Sequence, residues 1–404
     1  MQRHLAITVD KLSWGGIQRV LFELAKEFID RDILVDFVVC ESGGTLANRV
    51  PPGVRVFQLK RSFNISTRWY ALRADIHAWR IMLKPVLLSR KPPGYMVYLP
   101  SFVHYLKSQQ PHAILSAGRT LNIATIWARK LAKISSRVVL SEHVAPSSDL
   151  RGSRKWGRRY LTPLMAHNYA MGDCIIAVSD GVADDLAAIT GLPRESIHTI
   201  YNPIVSKALL ESAKHPIQHP WFEPGQPPVI LGAGRLVEQK DFKVLVKAFG
   251  LLRKKRDARL IILGSAKDDA TTKKRRNALL AIAREMGVAD DVCLPGYVEH
   301  APAYMSKASL FVLSSAYEGF GNVLVEALAL GCPVVSTNCP SGPSEILENG
   351  KWGALVPVGD YEALAQAMAR TLDRPIGGED LRRRGAYFNA SHAADRYAQL
   401  LFPA

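Results

Sequence analysis

Leu310-Phe-Val-Leu-Ser-Ser-Ala-Tyr-Glu-Gly-Phe-Gly-Asn-Val-Leu-Val-Glu-Ala-Leu-Ala-Leu-Gly-Cys-Pro-Val-Val-Ser336 reads as strand, loop, helix and strand in immediate succession. Leu310–Ser314 and Pro333–Ser336 are apolar runs of strand length, as parallel strands buried on both faces require. Between them Asn322 is the expected N-cap, Val323–Leu330 carries good helix formers, and Gly331 followed by Pro333 supplies the stop. Glu318 therefore sits on a loop ahead of a helix N-terminus, and Glu326 about one turn inside it. Loop amides and the positive helix end attract a phosphate. Two carboxylates beside it suit hydroxyls on a sugar and a ribose. A phosphate flanked by hydroxyl acceptors describes a nucleotide-sugar site.

Working outward, strands alternate with helices twice over. The first half holds Leu5–Val9, Val35–Cys40, Val54–Leu59, Ala113–Ser116, Arg137–Ser141, Cys174–Ser179 and His198–Tyr201. The second holds Val229–Gly232, Arg259–Leu263, Val292–Leu294, Leu310–Ser314, Pro333–Ser336 and Ala354–Val356. Helical segments separate them, which predicts an α/β protein of two doubly wound βαβ domains. The break falls in the proline-rich stretch Pro203–Pro228. The expected division is residues 1–205, residues 206–390 and a terminal helix within 391–404.

A chain of 404 residues exceeds one core, and its 48% apolar content lets each half bury its own. No segment reaches the ~18 uninterrupted apolar residues of a membrane span. Met1–Asp10 reads as a strand and lacks the layout of a signal peptide. The five cysteines, 40, 174, 293, 332 and 339, are scattered, odd in number and mostly inside apolar runs, as expected of reduced thiols in the cytoplasm. Cys332 and Cys339 have no second pair to complete a zinc site. The formal charge of +16 is uneven: residues 1–205 hold 27 Lys and Arg against 15 Asp and Glu, net +12, and the remainder 25 against 21, net +4. The excess points to an anionic surface or acceptor at the first half. No RNP, zinc or helix-turn-helix pattern accompanies it, so nucleic acid is not the expected partner.

Three further segments fall at strand ends, where open parallel sheets bind ligands. Trp14-Gly15-Gly16-Ile17-Gln18-Arg19 precedes a helix expected over Val20–Phe28, and its paired glycines let a diphosphate approach the backbone. In Gly232-Ala-Gly234-Arg235-Leu-Val-Glu-Gln-Lys240, Arg235 and Lys240 bracket a loop and could neutralise a leaving diphosphate without a metal; the alternative is a solvated basic pair. His143, in Ser141-Glu142-His143, stands where it could bond a sugar hydroxyl or polarise the reaction centre, or else cap the following helix.

Taken together, these residues resemble the large retaining glycosyltransferase family 4 of the GT-B fold, over almost the whole chain. The matching residues are Gly15-Gly16 with Arg19, Ser141-Glu142-His143, Ala177-Val-Ser179, Gly234-Arg235 with Lys240, and Pro295-Gly296-Tyr297. Most specific is Glu318 through Glu326, continuing through Gly331-Cys-Pro-Val-Val to Gly342-Pro-Ser-Glu345. The resemblance implies two Rossmann-like domains facing a central cleft. It implies that Glu318 binds donor-sugar hydroxyls, Glu326 the ribose, and Arg235 and Lys240 the diphosphate whose departure they stabilise. Gly319, Phe320, Gly321, Asn322 and Val323 with Gly234 would complete the donor site, Gly296, Tyr297 and Val298 would lie along the base, and His143 and Gly16 would complete the site from the acceptor domain. It also implies retention by a front-face mechanism, with no cofactor and no essential metal. Family members often carry Glu where Gln18 stands and Gly where Asp241 stands. Gly-Phe-Gly-Asn here also replaces the more common Gly-Phe-Pro.

Other carboxylates have ordinary explanations. Asp30-Arg31-Asp32 matches a metal motif of another glycosyltransferase class but lies between a helix and a strand, where solvated acids are usual. Asp184-Asp185 is expected to begin a helix and compensate its dipole, and Glu345 to cap one running to residue 349, a donor contact being the alternative.

On the acceptor side, Arg68-Trp69-Tyr70 through Lys91 mixes Trp79, Met82, Leu83, Val86, Leu87 and Leu88 with Arg73, Arg80, Lys84, Arg90 and Lys91, and Pro85 limits it to two short helices. A second cluster places Arg151, Arg154, Lys155, Arg158 and Arg159 around Trp156. Each suits docking on an anionic inner leaflet, or a packed helix with a solvated basic face. The expected activity is retaining transfer from a UDP- or GDP-linked sugar to a glycan acceptor, lipid-linked as for many relatives that build bacterial surface glycans. The enzyme would be cytoplasmic and peripheral on the membrane's inner face. A sugar-nucleotide 2-epimerase of the same fold, which needs no acceptor, and a catalytically silent partner subunit are the rivals.

Overall fold

The computed structural model describes residues 2–13, 15–89, 94–151, 161–264 and 269–403. Trp14, Arg90, Lys91, Arg154, Lys155, Trp156, Arg158 and Arg159 lie outside these. Contacts divide the chain into two units, Met1–Pro203 with Ala390–Ala404, and Ile204–Asn389.

The first unit is built on seven strands: β1 (His4–Lys11), β2 (Leu34–Glu41), β3 (Arg55–Gln58), β4 (Ala113–Ala117), β5 (Arg137–Glu142), β6 (Cys174–Ala177) and β7 (Ile197–Thr199). They pair in parallel in the order β3-β2-β1-β4-β5-β6-β7. The second unit has β8 (Val229–Ala233), β9 (Arg259–Leu263), β10 (Val292–Gly296), β11 (Leu310–Leu313), β12 (Val334–Thr337) and β13 (Ala354–Val356), parallel in the order β10-β9-β8-β11-β12-β13. Every strand expected from the apolar runs is present. In each sheet the winding reverses beside the first strand, between β1 and β4 and between β8 and β11, the switch point at which such sheets open a ligand crevice. Helices cover the faces: Gly16–Ile29 buries Val20, Leu21, Leu24 and Phe28, and Phe242–Arg253 buries Leu245, Phe249 and Leu252.

Two helix starts differ from expectation. The first helix begins at Gly16 rather than Val20, because Gly15 takes the extended cap conformation and Gln18 turns inward to donate to Asp10 Oδ1 at 2.6 Å. A polar first turn is thereby accommodated. Asp184 and Asp185 lie in the second turn of Asp180–Thr190, whose cap is Ser179, accepting from the Val182 amide. Asp184 instead pairs with Arg194, and Asp185 accepts from the Ser147 amide at 2.9 Å.

A buried charge cluster ties the amino ends of β1, β2 and β3. Asp36, fully buried, accepts from Arg55 Nε at 2.7 Å and Tyr105 Oη at 2.6 Å, and its other ring partner, His4 Nε2, lies at 2.8 Å. Burial alone would raise the Asp36 carboxyl; bonds to His4, Arg55 and Tyr105 outweigh it and hold the group below its ordinary range.

The helix Ala390–Leu401 returns to the first unit. Arg137 Nε donates to Leu400 O at 2.6 Å, Arg396 to Thr199 O at 2.8 Å, and Arg31 pairs with Asp395, while Tyr397 is fully buried. Arg31 also pairs with Glu27, and Asp32 accepts from Gln2. All five cysteines are free; burial pushes the Cys332 and Cys339 thiols up to about 12. No described helix is long and apolar enough to cross a membrane.

Candidate active site

At the switch point of the second sheet the loops after β8 and β11 are sewn together. Gly234 has φ +152°, and a Cβ there would press to 3.1 Å from Lys240 Cε, so only glycine lets the loop fold back under the lysine stem. A single turn, Glu238–Lys240, leads into Asp241 at φ +39°, a left-handed conformation that favours the glycine more usual in the family. Ser314 Oγ donates to Lys240 O at 2.8 Å, Gln239 Nε2 to Tyr317 O at 3.0 Å, and the Ala316 amide to Gln239 O at 2.8 Å. These bonds deliver Lys240 Nζ to within 2.5 Å of Glu318 Oε1. Glu318 is 7% exposed, and Ser315 Oγ donates to the same oxygen at 2.6 Å. The structure thus brings together two residues far apart in sequence.

Beyond Glu318 the helix Asn322–Ala329 begins one position earlier than expected, at the residue expected to cap it. Gly321 is the N-cap, at φ +105°, and Asn322 is the first helical residue. That backbone conformation costs glycine nothing, and it displaces Asn322 from the capping role. Glu326 is 2% exposed within the helix. Glu345 Oε1 accepts from the Gly342 amide at 3.4 Å, but the helix it caps is only Pro343–Ile346, because Glu348 and Asn349 are left-handed and turn the chain away before residue 349.

Arg235, on the same loop as Gly234 and Lys240, is exposed, and no ion-pair partner for it is found among the described residues. The turns after β8, β9 and β10 are joined by the Gly234 amide to Leu263 O at 3.0 Å and the Gly264 amide to Gly296 O at 2.7 Å. Tyr297 and Val298 follow on this edge, Tyr297 being 41% exposed. A separate cleft of about 530 Å³, lined by Trp352, Arg370, Arg374, Ile376 and Leu381 among others, lies instead at the amino ends of β12 and β13.

In the first unit Gly16 opens its helix after β1, and His143 follows β5. His143 is buried, with Nε2 3.0 Å from Ser141 Oγ, and burial pushes its imidazole down to about 4. It is therefore neutral near pH 7 and able to donate or accept a hydrogen bond. Neighbouring Glu142 binds the Tyr169 hydroxyl and Asn122 Nδ2, anchoring the strand end.

Residues 61–89 carry an inverted surface. Asn64–Ala74 is a helix, and Trp79–Met82 runs into a wide turn, Leu83–Leu87, that contains Pro85. Phe63, Ile65, Trp69, Ile76, Trp79 and Leu88 are exposed, Phe63 at 88% and Ile65 at 80%. Met82, at the end of the short helix, and Val86, in the wide turn, are buried rather than on this apolar face. Arg61, Arg73, Arg80 and Lys84 share the exposed side, and the segment's acid, Asp75, is buried against His167 at 2.5 Å.

Residues 14–207 match the family model described as Glycosyltransferase Family 4, and residues 227–374 that of Glycosyl transferases group 1. These matches, with two doubly wound parallel units, make the protein a GT-B glycosyltransferase. The chain belongs to glycosyltransferase family 4. It is similar to the N-acetylgalactosamine-N,N'-diacetylbacillosaminyl-diphospho-undecaprenol 4-alpha-N-acetylgalactosaminyltransferase of Campylobacter jejuni, 29% identical over 66% of this chain and 67% of that protein. The lipopolysaccharide core biosynthesis glycosyltransferase LpsE of Rhizobium meliloti is 28% identical over 62% and 70%. Among solved structures, the apo lipopolysaccharide outer core galactosyltransferase WaaB superposes with a TM-score of 0.70 at 21% identity over 99% of both chains. Anabaena HepE in complex with UDP-glucose gives 0.72 at 18% identity, over 98% of this chain and 99% of that one.

Proposed function

We propose that this glycosyltransferase moves a sugar, with retention, from a UDP- or GDP-linked donor to a lipid-linked glycan acceptor in surface-glycan assembly. The observation that carries the donor side is the preformed Lys240–Glu318 pair at the switch point, with Arg235 on the same loop. In this reading Arg235 and Lys240 take up charge as the anomeric C–O bond to the diphosphate breaks, a stabilisation that needs no metal. The acceptor hydroxyl forms the new bond on the same face and passes its proton to the departing phosphate. Glu318 then serves as a ligand for donor hydroxyls rather than as a general base, which its engagement by both Lys240 and Ser315 favours. Glu326 would hold the ribose and Gly296–Val298 the base, and neutral His143 with Gly16 would contact substrate in the first unit. Relatives named for lipopolysaccharide and diphospho-undecaprenol substrates support the acceptor class.

A panel of nucleotide sugars tested by thermal shift checks the donor assignment, because a ligand bound only to the native state raises the melting temperature. One UDP- or GDP-sugar is expected to stabilise the protein by several degrees, and transfer from it should persist in EDTA. Indifference to every nucleotide sugar would refute the reading.

The protein is also proposed to work at the inner face of the cell membrane, docking through residues 61–88 on anionic lipid. Burying an exposed Phe, Trp, Ile or Leu contributes roughly 1.5–3 kcal/mol each, and a cation near an anionic leaflet about 1 kcal/mol. Two or three such side chains entering the bilayer together beside arginines would therefore suffice for peripheral binding. The protein should sediment with phosphatidylglycerol liposomes at low salt, and Trp69→Ser with Phe63→Ser should weaken this by about tenfold or more. Wild type left in the supernatant would sink the docking surface.

A further inference from the structure

We propose that Ser315 and Thr337 are positioning residues that set the orientation of the Glu318 carboxylate, an inference that rests on Glu318 being the donor-sugar ligand. A glutamate carboxylate rotates freely about its last torsion, which is broad, unless its oxygens are held. Here Oε1 is held twice, by Lys240 Nζ at 2.5 Å and by Ser315 Oγ at 2.6 Å. Both restraints fall on one oxygen, so the plane of the group is fixed and Oε2 is the atom presented to the donor.

The two restraints differ in kind. Lys240 is a cation that would be shared with a diphosphate once the donor binds. Ser315 is neutral, fully buried and itself anchored: Thr337 Oγ1 donates to Ser315 O at 2.6 Å and to Leu313 O at 3.4 Å. Thr337, the last residue of β12, is also fully buried. A rigid strand end therefore holds the serine, and the serine holds the acid. The neighbouring Ser314 does the complementary work, bonding Lys240 O at 2.8 Å. Ser314 and Ser315 follow β11 directly, and one serves each partner of the pair. Neither Ser315 nor Thr337 reaches solvent, so they act on the donor through Glu318.

Ser315→Ala is expected to lower kcat/KM for the nucleotide sugar roughly 10- to 100-fold, as for loss of a hydrogen bond to a charged group, and Thr337→Val by a smaller factor. Thermal stabilisation by the nucleoside diphosphate alone should be unchanged in both, because it lacks the sugar that Glu318 reads. In a Glu318→Ala background Ser315→Ala should cost nothing further. A kcat/KM for Ser315→Ala within twofold of wild type, an equal loss in the Glu318→Ala background, or a lost nucleoside diphosphate response would each overturn the role. Wild type that transfers from no nucleotide sugar would overturn the site reading and this inference together. Wild-type transfer with an impaired Glu318→Ala and an unimpaired Ser315→Ala would overturn this inference alone.

Discussion

Lys240→Ala is expected to lower turnover at saturating donor at least ~100-fold, and Glu318→Ala to do the same, as for loss of a positioned transition-state contact. The lysine side chain is only 15% exposed, so its charge acts with little screening by water on a developing phosphate charge. Its removal does second damage, because Glu318 loses one of the two donors to Oε1. The two substitutions should therefore be far from additive, and the double variant should be little worse than either single one. Lys240→Arg is not expected to restore the rate, since a planar fork does not fit a space shaped by Gly234 around a lysine stem. Initial rates with the stabilising nucleotide sugar check this. Near-normal turnover in both alanine variants would remove Lys240 and Glu318 from the chemistry.

The largest expected loss of stability lies elsewhere, at Asp36→Ala. The substitution leaves Arg55, His4 and Tyr105 without the carboxylate they converge on, and breaking a buried pair by removing one partner costs about 3–5 kcal/mol. Arg55 is partly exposed, which places the expected value near the lower end. The pH dependence has a definite sign. A carboxyl whose folded pKa is depressed contributes its full stability above its ordinary 3.8, and that contribution disappears as pH falls through the lowered folded value. Urea unfolding of wild type should thus show a stability loss below pH 4 that is shallower in Asp36→Ala. A change under 1 kcal/mol at pH 7 would mean that the cluster is solvated.

Strand positions were legible because a parallel strand buried on both faces must be apolar almost throughout, and β1, β8 and β11 leave no other reading. Helix starts were not, where backbone conformation rather than side-chain chemistry decides them: Gly321 displaced Asn322, and Gly15 opened a helix ahead of its polar first turn. Loop placement identified Arg235, Lys240 and Glu318 as candidates, yet no local pattern states that residues 240 and 318 touch. Ser315 carried one weak signal, a hydroxyl at a strand end three residues ahead of a buried acid. For residues 61–88 composition was informative and orientation was not, because the segment breaks into short pieces around Pro85 that bury Met82 and Val86 while Phe63, Ile65 and Ile76 face out.

The helix Ala390–Leu401 completes the first unit only after the whole of residues 204–389 has been made. On a translating ribosome the earliest sheet therefore emerges without the segment that covers Arg137 and supplies the buried Tyr397. The second unit, continuous in the chain, has no such wait. Biogenesis should run out of textual order, with the later-made half reaching its final form before the earlier one. A chain truncated just before residue 390 should hold a finished second sheet beside an unfinished, protease-sensitive first unit.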